Sequence, residues 1–387
     1  MDFNNTQNAF AAKSNSELKK AAFLFRSMAS PTLTKIGVIV TNWAFKLHLP
    51  IHSLIKSTIY KQFCGGENLE EANQTALNLQ KFNIGVIMDY GVEGKHDEVE
   101  FERTTENFLH TITFAQNKSY IPFISLKITG FARFALLEKI HSRAELTDEE
   151  SIEWNRVVSR VEKICAHAVA NNKKVLIDAE ETWIQGPVDQ LTDAMMEKHN
   201  GSQAFIYNTF QLYCHDRLDF LKTSYNRARQ KGYHLGAKLV RGAYMEKERK
   251  RAEEMNYPSP IQPDKAASDR DYNLALTFCL EHLDQIDLFI GTHNDQSCML
   301  AVDLMKKKNI PNNAPRVHFS QLFGMSDHIS FNLSKEGFNV SKYLPYGPVE
   351  DVIPYLMRRA QENTSVAGQT GRELKLISEE LKRRKLS

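Results

Sequence analysis

Eight short runs rich in β-branched and aromatic residues recur along this 387-residue chain, and they constrain its fold more than any other feature. In order they read IGVIMD, FISLKIT, KVLIDAE, AFIYNTF, HLGAKLV, LFIGTH, RVHFSQ and VSKYLP. Between them lie segments with the apolar spacing of helices, such as WNRVVSRVEKICAHAVANN and RDYNLALTFCLEHLDQ. Apolar runs that alternate with helical segments are typical of parallel strands joined by crossover helices. Eight such units predict an α/β fold of the (β/α)8 TIM-barrel type.

A doubly wound open sheet is the alternative arrangement of the same units. Such a sheet is expected to carry a G-x-G-x-x-G loop after its first strand, whereas the loop here reads DYGVEG. We therefore favour the barrel. Helical periodicity before the first run predicts an N-terminal helical arm over 1–80. We expect the barrel over 81–363 and a C-terminal helical tail over 364–387.

The composition excludes several classes of protein. A formal net charge of +2 gives no basic field, so we expect no nucleic-acid partner. Five scattered cysteines without a C-x-x-C pair indicate reduced thiols. The first residues show no targeting signal, and the apolar run from Ile36 to Ile55 is too interrupted to span a membrane. For the tail GRELKLISEELKRRKLS we expect a solvated terminal helix, with a basic helix lying on a surface as the alternative.

Polar side chains recur where the apolar runs end, which is where a TIM barrel carries its active site. The set comprises Asp89 with Glu93, Lys127, Asp178 with Glu180 and Glu181, Asn208, Lys238 with Arg241, Thr292 with His293, Gln321, and Tyr343. The two lysines end apolar runs and are therefore expected at the barrel mouth, balanced by Asp178, Glu181 and Glu93 or by a ligand anion. The excess of cations predicts an anionic substrate.

The last strong pattern, NVSKYLPYGPVEDVIPYLMRRAQEN, predicts a strand ending at Tyr343, a turn and a helix. Tyr355, Arg358, Arg359 and Glu362 share one face of that helix because they lie three, four and seven positions apart. A solvated face with an ion pair between Glu362 and Arg358 is the ordinary interpretation. Adjacent arginines beside a buried strand are also suited to bind a carboxylate or a phosphate.

Three chemistries are compatible with a TIM barrel of this kind. A metal site is disfavoured, because successive side chains of a strand point to opposite sides. Asp178, Glu180 and Glu181 therefore cannot all face one metal ion. A Schiff-base aldolase using Lys127 or Lys238 stays open. Flavin chemistry is the third, because the segment Val240-Arg241-Gly242-Ala243-Tyr244 offers a nearly bare backbone to a planar ring, with an arginine near a phosphate.

These motifs together resemble proline dehydrogenase, both the mitochondrial type and the dehydrogenase domain of bifunctional bacterial enzymes. The resemblance lies in IDAEE (177–181), KLVRGAY (238–244), THN (292–294), LFGM (322–325) and YLPYGPVEDVIPYLMRRAQEN (343–363). It implies an FAD-dependent enzyme on a distorted (β/α)8 barrel. Such an enzyme oxidises L-proline to 1-pyrroline-5-carboxylate, the first step of proline catabolism, and passes electrons to a membrane quinone. A catalytically inactive barrel scaffold is the alternative of another class.

The resemblance also implies roles for individual residues. The substrate-binding set would be Lys127, Leu322, Tyr343, Tyr355, Arg358 and Arg359. The flavin-binding set would be Ala179, Asn208, Lys238, Val240, Arg241, Gly242, Thr292 and His293. Asp178, Lys238 and Tyr343 would act in catalysis, and Glu93 would be the gate that closes onto the first arginine.

The chain departs from many bacterial relatives, which have arginine in place of Lys238, glutamine in place of Asn208, lysine in place of Arg241 and tryptophan in place of Met245. Lys238 and Asn208 are similar to the residues of the eukaryotic-type branch, while the absence of a transit signal favours a bacterial cytoplasm. Peripheral contact with the inner face of the plasma membrane, or the matrix side of a mitochondrion, fits a quinone acceptor. A separate pyrroline-5-carboxylate dehydrogenase would take the product.

Overall fold

Eight parallel strands close a barrel in the order of the sequence, β1 through β8. The computed structural model describes residues 1–30, 52–91, 97–365 and 369–386. The strands are β1 (Ile84–Tyr90), β2 (Phe123–Leu126), β3 (Lys174–Ile177), β4 (Ile206–Gln211), β5 (Leu235–Val240), β6 (Ile286–Gly291), β7 (Val317–Leu322) and β8 (Val340–Tyr346). Each coincides with one of the eight apolar runs, so the predicted α/β barrel is confirmed.

Helices precede, connect and follow these strands. Before β1 lie Thr6–Ala9, Asn15–Met28, the joined pieces His52–Ile55, Lys56–Tyr60 and Lys61–Phe63, and Leu69–Gln80. Between strands lie Glu98–Ala115, Phe134–His141, Asp148–Ala170, Thr182–His199, Arg217–Lys231, Met245–Glu254, Lys265–Glu281, Asp295–Lys307 and Asp327–Lys335. After β8 lie Val349–Ser365 and Gln369–Arg383.

Local sequence signals start and stop the connecting helices. Thr147 and Glu150 form a reciprocal capping box at the start of the helix Asp148–Ala170. Gly232 ends the helix Arg217–Lys231 in the left-handed conformation, with φ of 75°, which glycine adopts without strain. Such caps pair backbone groups that a helix end otherwise leaves exposed, and they stabilise the helices that lie between the strands.

The chain forms two compact units, one of residues 92–320 and one of residues 1–91 with 321–387. Strands β2 to β6 and residues 317–320 of β7 belong to the first unit, and β1 and β8 pair in the second. The proposed division into 1–80, 81–363 and 364–387 stays a prediction.

The register of neighbouring strands decides which side chains share a face. Thr209 lies opposite Lys238, which lies opposite Phe289, which in turn lies opposite His318. The rings of Phe289 and His318 stack, with centroids 5.7 Å apart and planes at 12°. Side chains alternate along a strand, so this face is the barrel interior and Asn208 belongs to the opposite face.

The C-terminal helix Gln369–Arg383 contradicts the expectation of a solvated or surface-lying tail. Leu376 and Ile377 are almost fully buried in a core that also contains Phe25 and Phe63. Its apolar face therefore packs within the unit of residues 1–91 and 321–387.

The interrupted apolar run from Ile36 to Ile55 lies mostly outside the described residues. Within the ranges the structure does describe, no helix combines the length and apolarity needed to cross a bilayer.

His318 gives the fold a pH dependence that can be measured. Burial, together with the nearby Lys174, lowers the pKa of His318 from 6.5 to about 3. Below about pH 6.5 the unfolded chain binds a proton at His318 that the folded chain does not bind. The contribution of His318 to the free energy of unfolding is therefore complete above pH 6.5 and is lost as the pH falls toward 3. We expect His318→Phe to flatten the pH dependence of urea unfolding in this window. His110→Gln, at an exposed helical position, is the matched control and should leave that dependence unchanged.

Candidate functional site

A carboxylate and two lysines meet at the carboxyl ends of β2, β3 and β5. Asp178 accepts a hydrogen bond from Lys238 Nζ at 2.5 Å and another from Ser125 Oγ at 3.1 Å. Lys127 Nζ lies 4.0 Å from the second oxygen of Asp178. Lys238 is only 5% exposed, and β5 continues two residues beyond it, whereas β2 ends one residue before Lys127. The prediction that Asp178 balances these lysines is confirmed.

Glu181 does not have the role expected of it. Its carboxylate forms an ion pair with Lys247, on the helix Met245–Glu254, and not with either strand-end lysine. Glu93, the other expected counter-charge and the proposed gate, lies outside the described residues. In the described part of the unit, Asp178 is therefore the acid that holds Lys238.

Arg241 forms a second cationic group, held by three polar partners. Its guanidinium donates to Asp269 at 2.7 Å, to Thr292 Oγ1 at 2.8 Å and to Ser297 Oγ at 3.0 Å. The guanidinium also lies over the ring of Tyr272, 4.4 Å from its centroid. These contacts fix the side chain in one orientation. Arg241 and Thr292, both in the predicted flavin-binding set, are therefore in direct contact.

Only glycine fits at position 242. Its φ is 149°, and a Cβ built there would lie 2.3 Å from the Tyr213 ring. The Tyr213 ring therefore packs directly against the backbone at Gly242. Val240 and Arg241 are half-buried beside it, and Gly242 is exposed.

Asn208 is not brought to the strand end. It lies in the middle of β4, fully buried, and its amide donates to Asp189 on the helix Thr182–His199 at 3.0 Å. The residue that ends β4 is Gln211, which donates to the backbone carbonyl of Glu180 at 2.7 Å. Gln211 was not among the predicted strand-end residues, because the run AFIYNTF stops one residue before it. The sequence does contain a signal for Gln211, which lies two positions after Thr209. Side chains two positions apart on a strand point to the same face, here the barrel interior.

The remaining predicted flavin-binding residues follow β3 and β6. Ala179 comes directly after Asp178 and is 9% exposed, while Thr292 and His293 come directly after β6. Asn294 then caps the helix Asp295–Lys307 by accepting from the backbone of Ser297 at 3.0 Å. Because β3 and β6 are parallel, these small and donor groups lie at the same end of the sheet.

In the other unit, β8 runs to Tyr346, so the predicted strand end at Tyr343 is wrong. Pro345 continues the strand because its missing N–H is not needed, while its carbonyl accepts from Gly65 at 2.8 Å. Lys342 reaches Asp327, at the start of the helix Asp327–Lys335, at 2.8 Å. Tyr343, the next residue, therefore turns to the barrel-interior face of the strand. Its carbonyl accepts from Phe323 at 2.9 Å.

Lys342 also holds the loop that follows β7. Its ammonium donates to the carbonyl of Met325 at 2.6 Å and of Leu322 at 3.5 Å. Burial lowers the pKa of Lys342, with Asp327 acting in the opposite sense. For Asp327 the order reverses: burial would raise its pKa, but Lys342 and Lys13 bring it below the usual value. The end of β7 at Leu322 and the loop that follows it are thus tied to the strand that carries Tyr343.

The helix Val349–Ser365 carries the paired arginines. Arg359 is 7% exposed, and its guanidinium lies 5.1 Å from the ring centroid of Tyr355, one turn earlier. Arg358 is half-buried. Val352 and Leu356 are buried in the core of the unit, so the helix is amphipathic. The side chain of Glu362 lies outside the described part of the chain.

This fold and these residues define a (β/α)8 protein with cationic groups at its strand ends, suited to bind an anionic organic ligand. A family model described as "Proline dehydrogenase" matches residues 72–372. The chain belongs to the proline dehydrogenase family, whose members are oxidoreductases.

Individual relatives extend this similarity over most of the chain. The chain is 36% identical to "Carbapenem antibiotics biosynthesis protein CarD" of Pectobacterium carotovorum subsp. carotovorum, over 86% of this chain and 85% of that protein. It is 32% identical to "Hydroxyproline dehydrogenase" of Xenopus laevis, over 97% of this chain and 88% of that protein. These two relatives carry different names.

A solved structure supports the fold. Proline utilization A (PutA) from Bdellovibrio bacteriovorus, inactivated by N-propargylglycine, superimposes with a TM-score of 0.73 at 21% identity. The match covers 81% of this chain and 34% of that one, so this chain spans about a third of the length of the larger protein.

Proposed function

We propose that the protein oxidises L-proline to 1-pyrroline-5-carboxylate with FAD as its cofactor. The observation that carries the proposal is the contact of Lys238 and Lys127 with Asp178 at the ends of β2, β3 and β5. Two ammonium groups around one carboxylate leave a net positive charge, which suits a substrate anion. The family of the chain adds proline oxidation as its activity.

The carboxylate of proline is proposed to bind Lys127, Arg358 and Arg359. Two of these cations are restricted by their contacts: Lys127 lies beside Asp178, and Arg359 lies over the ring of Tyr355. Guanidinium groups suit a carboxylate because they donate two parallel hydrogen bonds to it. Leu322, Tyr343 and Tyr355 are proposed as the apolar walls for the ring.

The donor set of the strand ends fits a flavin dinucleotide. Lys238 and Arg241 supply positive charge, and Thr292 supplies a hydroxyl beside Arg241. Ala179, Val240 and His293 complete the proposed set. Asn208 faces away from the barrel interior and donates to Asp189, so it is removed from the proposed set.

In the proposed reaction, the ring carbon next to nitrogen loses a hydride, the nitrogen loses a proton, and a carbon–nitrogen double bond forms. FAD, when bound, supplies the acceptor for that hydride. The residues of the chain contribute position: three cations orient the carboxylate, and the aromatic walls hold the ring in one plane. Lys238, fixed by Asp178 before the reaction, stabilises negative charge that develops at the strand end.

The absorption spectrum of the purified protein, recorded without oxygen before and after addition of L-proline, tests this proposal. We expect a flavin band that bleaches on addition of proline, with 1-pyrroline-5-carboxylate as the product. A flavin band that proline leaves unchanged would contradict the substrate, and a protein that binds no flavin would contradict the cofactor. Borohydride trapping of a substrate on Lys127 or Lys238 would support the aldolase alternative.

The acceptor and the setting of the reaction are part of the same proposal. We propose that the electrons pass to a membrane quinone during peripheral contact with a membrane. The bacterial cytoplasm at the inner face of the plasma membrane and the mitochondrial matrix side both supply such contact. A separate pyrroline-5-carboxylate dehydrogenase is proposed to take the product.

A further inference from the structure

Lys127 is followed by a single turn of 3-10 helix, Ile128–Gly130. The amide of Gly130 closes this turn on the carbonyl of Lys127 at 3.1 Å. One turn without a longer helix behind it has little stability of its own. The direction in which Lys127 leaves β2 therefore depends on what else holds the turn.

Thr129, in the middle of this turn, is held twice by one carboxylate. Its amide donates to Glu180 Oε1 at 3.1 Å, and its hydroxyl donates to Glu180 Oε2 at 2.5 Å. Both residues are buried, with 9% of Thr129 and 3% of Glu180 exposed. Two parallel donors to one carboxylate fix both the position and the rotation of the turn.

Glu180 is itself fixed on both sides of its backbone. Its amide donates to Gln185 Oε1 at 2.8 Å, and its carbonyl accepts from Gln211 Nε2 at 2.7 Å. It stands two residues after Asp178, whose carboxylate lies 4.0 Å from Lys127 Nζ. The same short segment after β3 therefore sets the turn that carries Lys127 and also provides the counter-charge of that lysine.

The environment of Glu180 is costly for a carboxyl group. Burial raises its pKa to about 7, and Glu181 adds to this, while the hydrogen bonds from Thr129 and the charge of Lys127 act in the opposite sense. An apolar side chain of similar size would avoid that cost. A buried carboxyl group with a perturbed pKa beside a cationic cluster is a mark of functional sites.

We propose that Glu180 and Thr129 are positioning residues that aim Lys127 at the carboxylate of the substrate. They act through the turn and touch neither the substrate nor the cofactor. This inference rests on the proposed function, since it concerns the group that Lys127 binds. It differs from a purely structural role in one respect: the effect of loosening the turn must depend on the negative charge of the substrate.

Thr129→Val tests this directly, because it removes the hydroxyl and keeps the size of the side chain. We expect the KM for L-proline to rise about tenfold, with kcat and flavin content within about twofold of wild type. The Kd of tetrahydro-2-furoate, a ring analogue that keeps the carboxylate and cannot form an imine, should rise by a similar factor in titration calorimetry. The KM for L-prolinamide, which lacks the anion, should not change. Thr129→Ser restores the hydroxyl and should restore the KM for proline.

Thr105→Val is the matched control in the same unit. Thr105 is 1% exposed, and its hydroxyl donates to the carbonyl of Phe101 within one helix at 2.8 Å. The same substitution there should leave both KM values at wild-type levels.

Equal Kd and KM values in Thr129→Val and wild type would overturn the positioning role. So would an equal loss with proline and prolinamide, which marks a structural effect. A wild-type protein that neither oxidises proline nor binds tetrahydro-2-furoate contradicts the proposed function, and the positioning role falls with it.

Discussion

Arg359→Met is expected to raise the KM for L-proline about tenfold to a hundredfold while flavin stays bound. Loss of a charge-assisted hydrogen bond costs about 1.5 to 3 kcal/mol, and each 1.4 kcal/mol is a factor of ten. Methionine keeps most of the apolar length of arginine, so the contact with Tyr355 is retained in part. Steady-state kinetics with L-proline, together with the flavin content of each preparation, measure the effect.

The substrate charge provides an internal check on Arg359. L-prolinamide lacks the anion, so it should be a poor substrate of the wild type and should respond little to Arg359→Met. Arg160→Met is the matched control, since Arg160 is 4% exposed and donates to Glu102 at 2.7 Å within the other unit. We expect this control to lower stability without a change in KM. An unchanged KM in Arg359→Met at full flavin content would remove Arg359 from the substrate site.

The succession of strands was predictable because burial on both faces leaves a strong signal in the sequence. Each parallel strand reads as a continuous apolar run, and the run persists whichever helices cover it. The strand ends were less predictable. A run that ends in polar residues looks finished at Asn208 and at Tyr343, yet β4 continues to Gln211 and β8 to Tyr346. Hydrogen bonds to neighbouring strands, which no single segment reveals, extend both.

The part of the site that was predictable is the part that follows from the type of a single residue. Lysines that end apolar runs need an acid, and Asp178 supplies it. Contacts between distant segments were not predictable. The hydrogen bonds from Thr129 to Glu180 join positions 51 residues apart. Lys342, on β8, forms an ion pair with Asp327 at the start of the preceding helix. The burial of Leu376 in the terminal helix likewise depends on a partner surface that lies far away in the sequence.

The hydroxyl specificity of the enzyme should depend on Tyr343. Its side chain turns to the barrel interior, opposite to that of Lys342, and it is 8% exposed. We expect it to pack against the far edge of the proline ring. A hydroxyl on that edge would lose its water without gaining a partner, at a cost of about 1 to 3 kcal/mol. Trans-4-hydroxy-L-proline should accordingly be disfavoured about tenfold to a hundredfold in kcat/KM.

Tyr343→Ser should narrow the ratio of kcat/KM between proline and trans-4-hydroxy-L-proline, chiefly through lost activity with proline. Serine opens space at the ring edge and offers a hydrogen-bond partner to the added hydroxyl. Tyr346→Ser is the matched control, because Tyr346 lies three residues further along β8 and on the opposite face of the strand. The centroid of its ring lies 5.4 Å from that of Tyr90. The control should leave the ratio at its wild-type value.

Each outcome of the kcat/KM measurement has a distinct physical meaning. Equal ratios in wild type and Tyr343→Ser would show that Tyr343 does not line the ring pocket, although its strand places it on the interior face. A wild type that prefers the hydroxylated ring would mean that a polar group near Tyr343 already pairs with the hydroxyl. The protein would then resemble its hydroxyproline dehydrogenase relative in substrate as well as in sequence. A preference for proline that falls only in Tyr343→Ser would instead establish the phenol ring as the group that excludes the hydroxyl.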